Sequence, residues 1–309
     1  MKIKDLTVEN NIVLAPMAGY TDVGFRKLCA DFGAGITYTE MVSAKALLFD
    51  SEKTKSLLYT TDSEKIKAVQ IFGNDPMCMQ KACQHELLQK FDIIDINMGC
   101  PAPKIIKNHE GSFLLTNKLL AGDIVKACKD ATDKPVTVKM RLGFGSDNVA
   151  VDFAKYMEKC GADLVTVHAR TQSQMYMKGV DYDSIKRVKQ ELSILVLANG
   201  DIDSKQSLDY VLDYTKADGA MIGRASLGNP MIFSTLQGKD VLVNKYDVIL
   251  EHISTLRKFF DNRLINLNMR KHIAFYLKNT GASASFKQEL MQDENLDDVL
   301  QKLSDFFKK

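Results

Sequence analysis

Short apolar runs rich in β-branched residues recur along the chain, and each is followed by a stretch whose apolar positions keep helical spacing. The runs predict strands at 12–15, 36–39, 67–71, 93–97, 136–140, 164–168, 194–198 and 219–222. Asp22 to Phe32, Asp75 to Lys90, Asp123 to Asp130 and Asn148 to Lys159 predict helices. Each opens near an Asp or Asn able to accept from the unpaired N–H groups of a first turn, and Gly161 closes the last. Eight β–α alternations in about 230 residues match a (β/α)8 TIM barrel in count and length. A doubly wound open sheet is the alternative, and it would carry a GxGxxG turn after its first strand. Here the first strand runs into Pro16-Met-Ala-Gly-Tyr20, which does not match.

Beyond residue 235 the strand pattern stops. Tyr246 to Phe260, Arg263 to Thr280 and Asn295 to Phe307 read as helices, with Gly281 ending the second. The expected organisation is a catalytic barrel over 1–235 and a small helical domain over 236–309. Residues 257–287 carry Arg257, Lys258, Arg263, Arg270, Lys271, Lys278 and Lys287 against one acid, Asp261. On a helical wheel Arg263, Arg270, Lys271 and Lys278 share a face, with Ile265, Met269, Ile273 and Tyr276 roughly opposite. One face would pack and the other would meet phosphate; a solvated charged face is the plainer alternative. The segment from Glu289 to Asp305 is acidic, which favours a directed surface over a uniformly basic tail.

A barrel places its functional groups at the C-terminal ends of its strands. Those ends carry Pro16 and Met17, Glu40, Gln70, Asn97 and Cys100, Lys139 and Arg141, His168 and Arg170, Asn199 and Asp201, and Gly223 and Arg224. Each alone has a bland reading: Lys139 could snorkel, His168 could be a satisfied core histidine, and Asp201 could cap a helix. Their placement on one rim argues for a shared site. Asn199-Gly200-Asp201 follows strand seven and Gly223-Arg224 follows strand eight, where barrels commonly hold phosphate. Arg224 adds a fork suited to phosphate oxygens. Lys139, His168 and Gln70 can hydrogen-bond a heterocycle rich in acceptors. FMN fits that combination, although sugar-phosphate enzymes use the same phosphate site. Cys100 sits in a loop between Gly99 and Pro101. Alone it reads as a small apolar residue, but a thiol with a pKa near 8.5 is also a proton donor at neutral pH.

Composition narrows the class. Of 309 residues, 45% are hydrophobic and 26% charged, ordinary for a globular protein. No apolar run approaches a membrane span of about 18 residues, and the N-terminus lacks a secretory core. The six cysteines show neither a CxxC pair nor a metal-like spacing with His, so no metal site and a reduced, cytoplasmic setting are expected. The net charge is only +2, so any nucleic-acid affinity must come from local clustering.

The residues resemble a known family. Ala15-Pro-Met-Ala-Gly-Tyr-Thr-Asp22, Gln70-Ile-Phe-Gly73, Asn97-Met-Gly-Cys-Pro101, Val138-Lys-Met-Arg-Leu-Gly143, His168-Ala-Arg-Thr171, Ala198-Asn-Gly-Asp201 and Ile222-Gly-Arg224 are similar, in order, to the tRNA-dihydrouridine synthase family. Arg270-Lys-His272 is similar to its bacterial B-type branch. The resemblance covers roughly residues 12–290. It implies an FMN-binding barrel with a helical C-terminal domain, and reduction of the C5–C6 double bond of particular tRNA uridines with NADPH as electron source. It implies Cys100 as proton donor to the base, with hydride from FMN. It implies flavin contacts from Pro16, Met17, Ala18, Gln70, Lys139, His168, Asn199, Gly200, Asp201, Gly223 and Arg224. Asn97, Arg141 and Arg170 on the rim, with Arg270, Lys271 and Lys278 on the basic helix, are the candidate tRNA contacts. No membrane and no stable protein partner are implied, and a monomer is expected.

A thiol suits the expected chemistry. The proton must come from a group protonated at pH 7 yet not too weak an acid, and Lys139 or Arg141 would stabilise the thiolate left behind. The base must also leave the RNA stack to reach such a pocket. Two alternatives are an FMN barrel reductase of a free pyrimidine or enone, and a non-catalytic RNA-binding barrel. One departure stands out. Family members read Lys-Asn-Gly-x-Gly-Ser-Ala-Leu after the cysteine, whereas this chain has Lys107-Asn-His-Glu-Gly-Ser-Phe-Leu114. His109 is held to ordinary backbone angles far more than Gly is, so the family's loop geometry and RNA contacts do not carry over there, whereas the role of Cys100 does.

Overall fold

The structure is a computed structural model that describes residues 1–239 and 241–308. Asp240 and Lys309, both inside the expected helical domain, lie outside the described residues. Eight parallel strands form the barrel: β1 Ile12–Leu14, β2 Thr37–Tyr38, β3 Lys67–Phe72, β4 Ile93–Met98, β5 Val136–Arg141, β6 Leu164–His168, β7 Leu195–Asn199 and β8 Gly219–Ile222. Strand β8 pairs with β1, Met221 opposite Val13. The ring closes through loop-edge bonds between β1 and β2, where Leu14 N–H donates to Ile36 O and Gly35 N–H to Ile12 O, both at 2.9 Å. All eight strands expected from the apolar runs are present. Three short extended pieces were not legible: an antiparallel hairpin of Lys2–Ile3 with Leu6–Thr7, and Val42–Ser43, which pairs with the end of β3.

Period-two alternation explains which side chains reach the lumen. Val136, Val138 and Met140 of β5 pack outward against the helices, and Thr137, Lys139 and Arg141 point inward. Strands β4, β6 and β7 follow the same rule. A slip of one residue would push these apolar side chains inward, each worth about 1.5–3 kcal/mol in its buried place. The register therefore stacks the lumen in layers. Val13, Tyr38, Ala68, Ile93, Leu164, Leu197 and Met221 form an apolar base with Ile3 and Val8 of the N-terminal segment. Above it lie Gln70, Asp95 and Thr137 in register, then Asn97 beside Lys139, then Arg141, His168 and Asn199.

The barrel helices differ from expectation mainly at their ends. Asp22 and Asp75 do cap Val23–Asp31 and Pro76–Gln84. The latter stops at His85, followed by a 3-10 turn over Glu86–Leu88, so the run to Lys90 is not one helix. The helix expected from Asp123 begins at Lys118, capped by Asn117. The C-terminal helices are Lys245–Leu256, Asn262–Tyr276, Ala284–Gln292 and Leu296–Phe307. The third was not foreseen, and the second ends before Lys278. Ile249, Ile253, Ile265, Met269, Ile273, Val299 and Leu303 share one core, which continues into Val23 and Leu28 of the first barrel helix.

That junction is polar at its centre. His252 Nε2 lies 2.9 Å from Asp22 Oδ1, and His272 Nε2 lies 3.0 Å from Oδ2. Tyr276 OH is 3.1 Å from His252 Nδ1. A carboxylate only accepts, so both imidazoles carry hydrogen on Nε2 toward it. A Cβ on Gly24 would stand 2.5 Å from His252 Cδ2, so glycine permits this close approach.

Candidate active site

The loops at the C-terminal ends of the strands and the start of the helical region enclose a cavity of about 1240 Å³. Pro16, Met17, Ala18, Gln70, Lys139, His168, Asn199, Gly200, Asp201, Gly223 and Arg224 all line it, as do Asn97, Cys100, Arg141 and Lys278. Arg170, Arg270 and Lys271 do not line it.

Lys139 rises from the lumen and donates to Asn199 Oδ1 at 3.2 Å, while Asn199 Nδ2 is anchored on Met221 O at 2.8 Å. Burial and the neighbouring Arg141 bring the Lys139 ammonium down to about 8. His168 is held well below the usual imidazole range by burial and by Lys139, Arg141, Arg170 and Arg224. It is therefore neutral at pH 7, with one donor and one acceptor nitrogen. The loop after β7 turns at Gly200, where φ is +130° and an added Cβ would stand 3.3 Å from His168 Cδ2. Asp201 is gripped by Arg170, Nη1 to Oδ1 at 3.1 Å, and by Arg224, Nη2 to Oδ1 at 2.7 Å. The Arg170 bond first, and both cations together, hold the carboxyl below its usual range.

The candidate tRNA contacts separate into two kinds. Arg141 is 2% exposed, and its guanidinium donates to Gly99 O, Thr171 O and Met175 O at 2.9, 2.9 and 3.0 Å. Arg170 is likewise buried, and it also donates to Met177 O at 2.8 Å. Both guanidiniums thus tie rim loops together. On the helical side, Arg270 donates to Asp293 O at 3.0 Å and Lys271 stands 5.6 Å above the Tyr20 ring. Lys278 is exposed and lines the cavity, two residues past the last helical residue, Tyr276.

Cys100 lies in a braced loop. Its N–H and that of Gly99 donate to Asn97 Oδ1 at 2.9 and 3.2 Å, and its carbonyl accepts from Ser112 N–H and Oγ–H at 3.1 and 2.8 Å. Burial pushes the thiol up, against the opposing pull of the Ala102 N–H, Arg141 and Lys139. The thiol is therefore protonated at neutral pH. His109 does adopt the left-handed conformation, with φ +58°. Its ring stacks on Phe113 with centroids 4.4 Å apart, and Phe113 meets Phe144 edge-on at 5.6 Å. The two departures from the family pattern are thus one contact.

Sequence reading missed several participants. Tyr176 lines the cavity beneath two guanidiniums, 5.5 Å from Arg141 and 4.9 Å from Arg224. Asp95 lies under Gln70, inside the apolar run that forms β4. Its place two residues before Asn97, on the same strand face, was the available signal. Asp22, His252 and His272 are far apart in sequence and showed no spacing signal.

A family model described as dihydrouridine synthase matches residues 13–309. The chain is 42% identical over 298 residues to tRNA-dihydrouridine synthase B of Pasteurella multocida, covering 93% of this chain and 90% of that one. It is 38% identical to tRNA-dihydrouridine synthase B of Vibrio cholerae, covering 99% and 98%. Among solved structures, morphinone reductase superposes with a TM-score of 0.58 at 11% identity, covering 79% of this chain and 90% of that one. A variant of NCR from Zymomonas mobilis also gives 0.58, at 16% identity, covering 82% and 93%. These two likenesses establish the barrel fold. The family-wide match and the full-length relatives establish more: the chain belongs to the dihydrouridine synthase family.

Proposed function

We propose that this protein reduces the C5–C6 double bond of uridine in tRNA to give dihydrouridine, with FMN as resident cofactor and NADPH as electron donor. The observation that carries the reading is the convergence on one cavity of a protonated thiol, a lysine cation, a neutral imidazole and the turns after β7 and β8. Those residues fit FMN. Gly200 and Gly223 keep side chains away from the phosphate turns, Arg224 supplies positive charge, and Lys139, His168, Gln70 and Asn199 offer polar groups to an acceptor-rich ring. Bound reduced FMN supplies the hydride for C6.

The chain's own groups supply the remainder. Cys100 gives its proton to C5 of the base, and the thiolate formed is stabilised by Lys139 and Arg141 before it is reprotonated from solvent. Arg141 holds the Gly99 carbonyl and so fixes the turn that carries the thiol. A uridine reaches this depth only when flipped out of its stack, and Lys278, Lys271 and Arg270 lie on the side where the backbone would pass. The deciding experiment mixes pre-reduced, FMN-loaded protein with unmodified tRNA or with free uridine under single-turnover conditions. Flavin reoxidation and dihydrouridine formation are expected with tRNA alone. Equal rates with free uridine would point instead to a small-molecule reductase.

A further inference from the structure

Beneath the cavity floor runs a hydrogen-bond chain whose direction is fixed at one end by a buried carboxylate. Asp95 is fully buried on β4, in register between Gln70 of β3 and Thr137 of β5. Thr137 Oγ1 donates to Asp95 Oδ1 at 2.5 Å, and Gln70 Nε2 donates to Oδ2 at 2.7 Å. With its NH2 turned to Asp95, Gln70 presents Oε1 to Asn97, whose Nδ2 donates to it at 2.7 Å. Asn97 Oδ1 is then left facing the N–H groups of Gly99 and Cys100.

An amide has a donor end and an acceptor end, so each link dictates the orientation of the next. If Gln70 turned over, its oxygen would oppose the carboxylate and its NH2 would oppose that of Asn97. If Asn97 turned over in response, two backbone N–H groups at the thiol loop would lose their acceptor. The acceptor at position 95 and the two loop N–H groups hold the same polarity from opposite ends, and without the acceptor the Gln70 end is free to turn. We propose that Asp95 is a positioning residue for the reaction: it sets the direction of the Gln70–Asn97 amide pair and thereby pins the backbone that presents the Cys100 thiol. The inference rests on the reading of Cys100 as the proton donor.

The carboxyl of Asp95 accepts from both neighbouring strands. Burial pushes its carboxyl up to about 6, against Thr137, Gln70 and Lys139, so it is ionised at neutral pH. The titratable groups acting on it among the described residues are Lys139 from β5 and Tyr38 from β2. A neutral side chain with one accepting oxygen can keep that oxygen on Gln70 while its donor turns to the Thr137 hydroxyl, which also accepts.

The test compares Asp95→Leu, which has no acceptor, with Asp95→Asn, which keeps one and cannot titrate. The first readout needs no flavin: iodoacetamide labelling of Cys100 relative to the half-buried Cys78, resolved by peptide mass spectrometry in flavin-free protein. The Cys100-to-Cys78 ratio should rise in Asp95→Leu and stay parental in Asp95→Asn. The second is reoxidation of pre-reduced protein by tRNA. It should fall by roughly 10²-fold in Asp95→Leu, the usual effect of misplacing a reacting group by about an ångström. Asp95→Asn should stay close to the parent. Parental labelling and reoxidation in Asp95→Leu overturn the proposal, as does a loss in Asp95→Asn equal to that in Asp95→Leu. If Asp95→Leu does not fold, Asp95→Ala, which also lacks an acceptor, takes its place in both readouts: a raised labelling ratio and slowed reoxidation are expected, and parental values overturn the proposal. A parent that tRNA does not reoxidise overturns the functional reading instead.

Discussion

At the scale of single residues the site separates groups that meet the reactants from groups that hold them. On the proposed mechanism Cys100 is of the first kind. Cys100→Ala should retain FMN and accept electrons from NADPH at a near-normal rate, while dihydrouridine formation falls by roughly 10²–10⁴-fold, the usual worth of a positioned general acid. Stopped-flow measurement of the two half-reactions separates these outcomes, and equal loss in both would remove the thiol from the proton step. Arg141 and Arg170 are the second kind, since their donors end on loop carbonyls and on Asp201. The rim positions were legible because strand alternation and the barrel rule each place them. The partners of the two arginines were not, because loop carbonyls leave no pattern in side-chain chemistry. His109 was legible only as an anomaly. Its left-handed backbone goes with a ring stack on Phe113, four residues further on.

At the scale of elements, apolar runs gave the strands because both faces of a parallel sheet are buried. Two-residue pieces such as Lys2–Ile3 and Leu6–Thr7 are too short to show a period. Helix starts went wrong where a nearer cap, Asn117, was available upstream of Asp123. The junction of the first barrel helix with Lys245–Leu256 and Asn262–Tyr276 carries its own pH dependence. Burial brings His272 down to about 4, so this group is neutral in the folded protein through mildly acidic pH. The unfolded chain takes up that proton near pH 6.5, so stability is lost as pH falls from about 6.5 to 4, by on the order of 3 kcal/mol. Asp22 is held well below the usual range by the two histidines, against the cost of burial, and adds a loss at lower pH. The melting temperature should therefore fall by several degrees across the window, and His272→Gln should flatten that slope. A parental slope in the variant would take His272 out of the junction's acid response.

For the molecule as a whole, the net charge of +2 makes RNA affinity a matter of placement. Lys278 is exposed and lines the cavity, and the proposed function has it meet a phosphate beside the flipped base. Lys278→Glu should raise KM for tRNA and reduce the log–log salt slope by about one or somewhat less, with NADPH-dependent FMN reduction unchanged. An unchanged salt slope would exclude Lys278 from the RNA path. The closure of the barrel has a consequence for synthesis. Strand β1 pairs with β8, and Asp22 waits for His272, 250 residues further along the chain. At about 5–20 residues per second that interval lasts some tens of seconds, during which the emerging N-terminal half has an unpaired edge. Ribosome-bound chains arrested before Gly219 should be cut rapidly by protease, whereas chains arrested with Tyr276 clear of the exit tunnel should resist. Equal resistance at both lengths would mean that the half-barrel protects itself, and that the last strand to arrive completes a body already closed to attack.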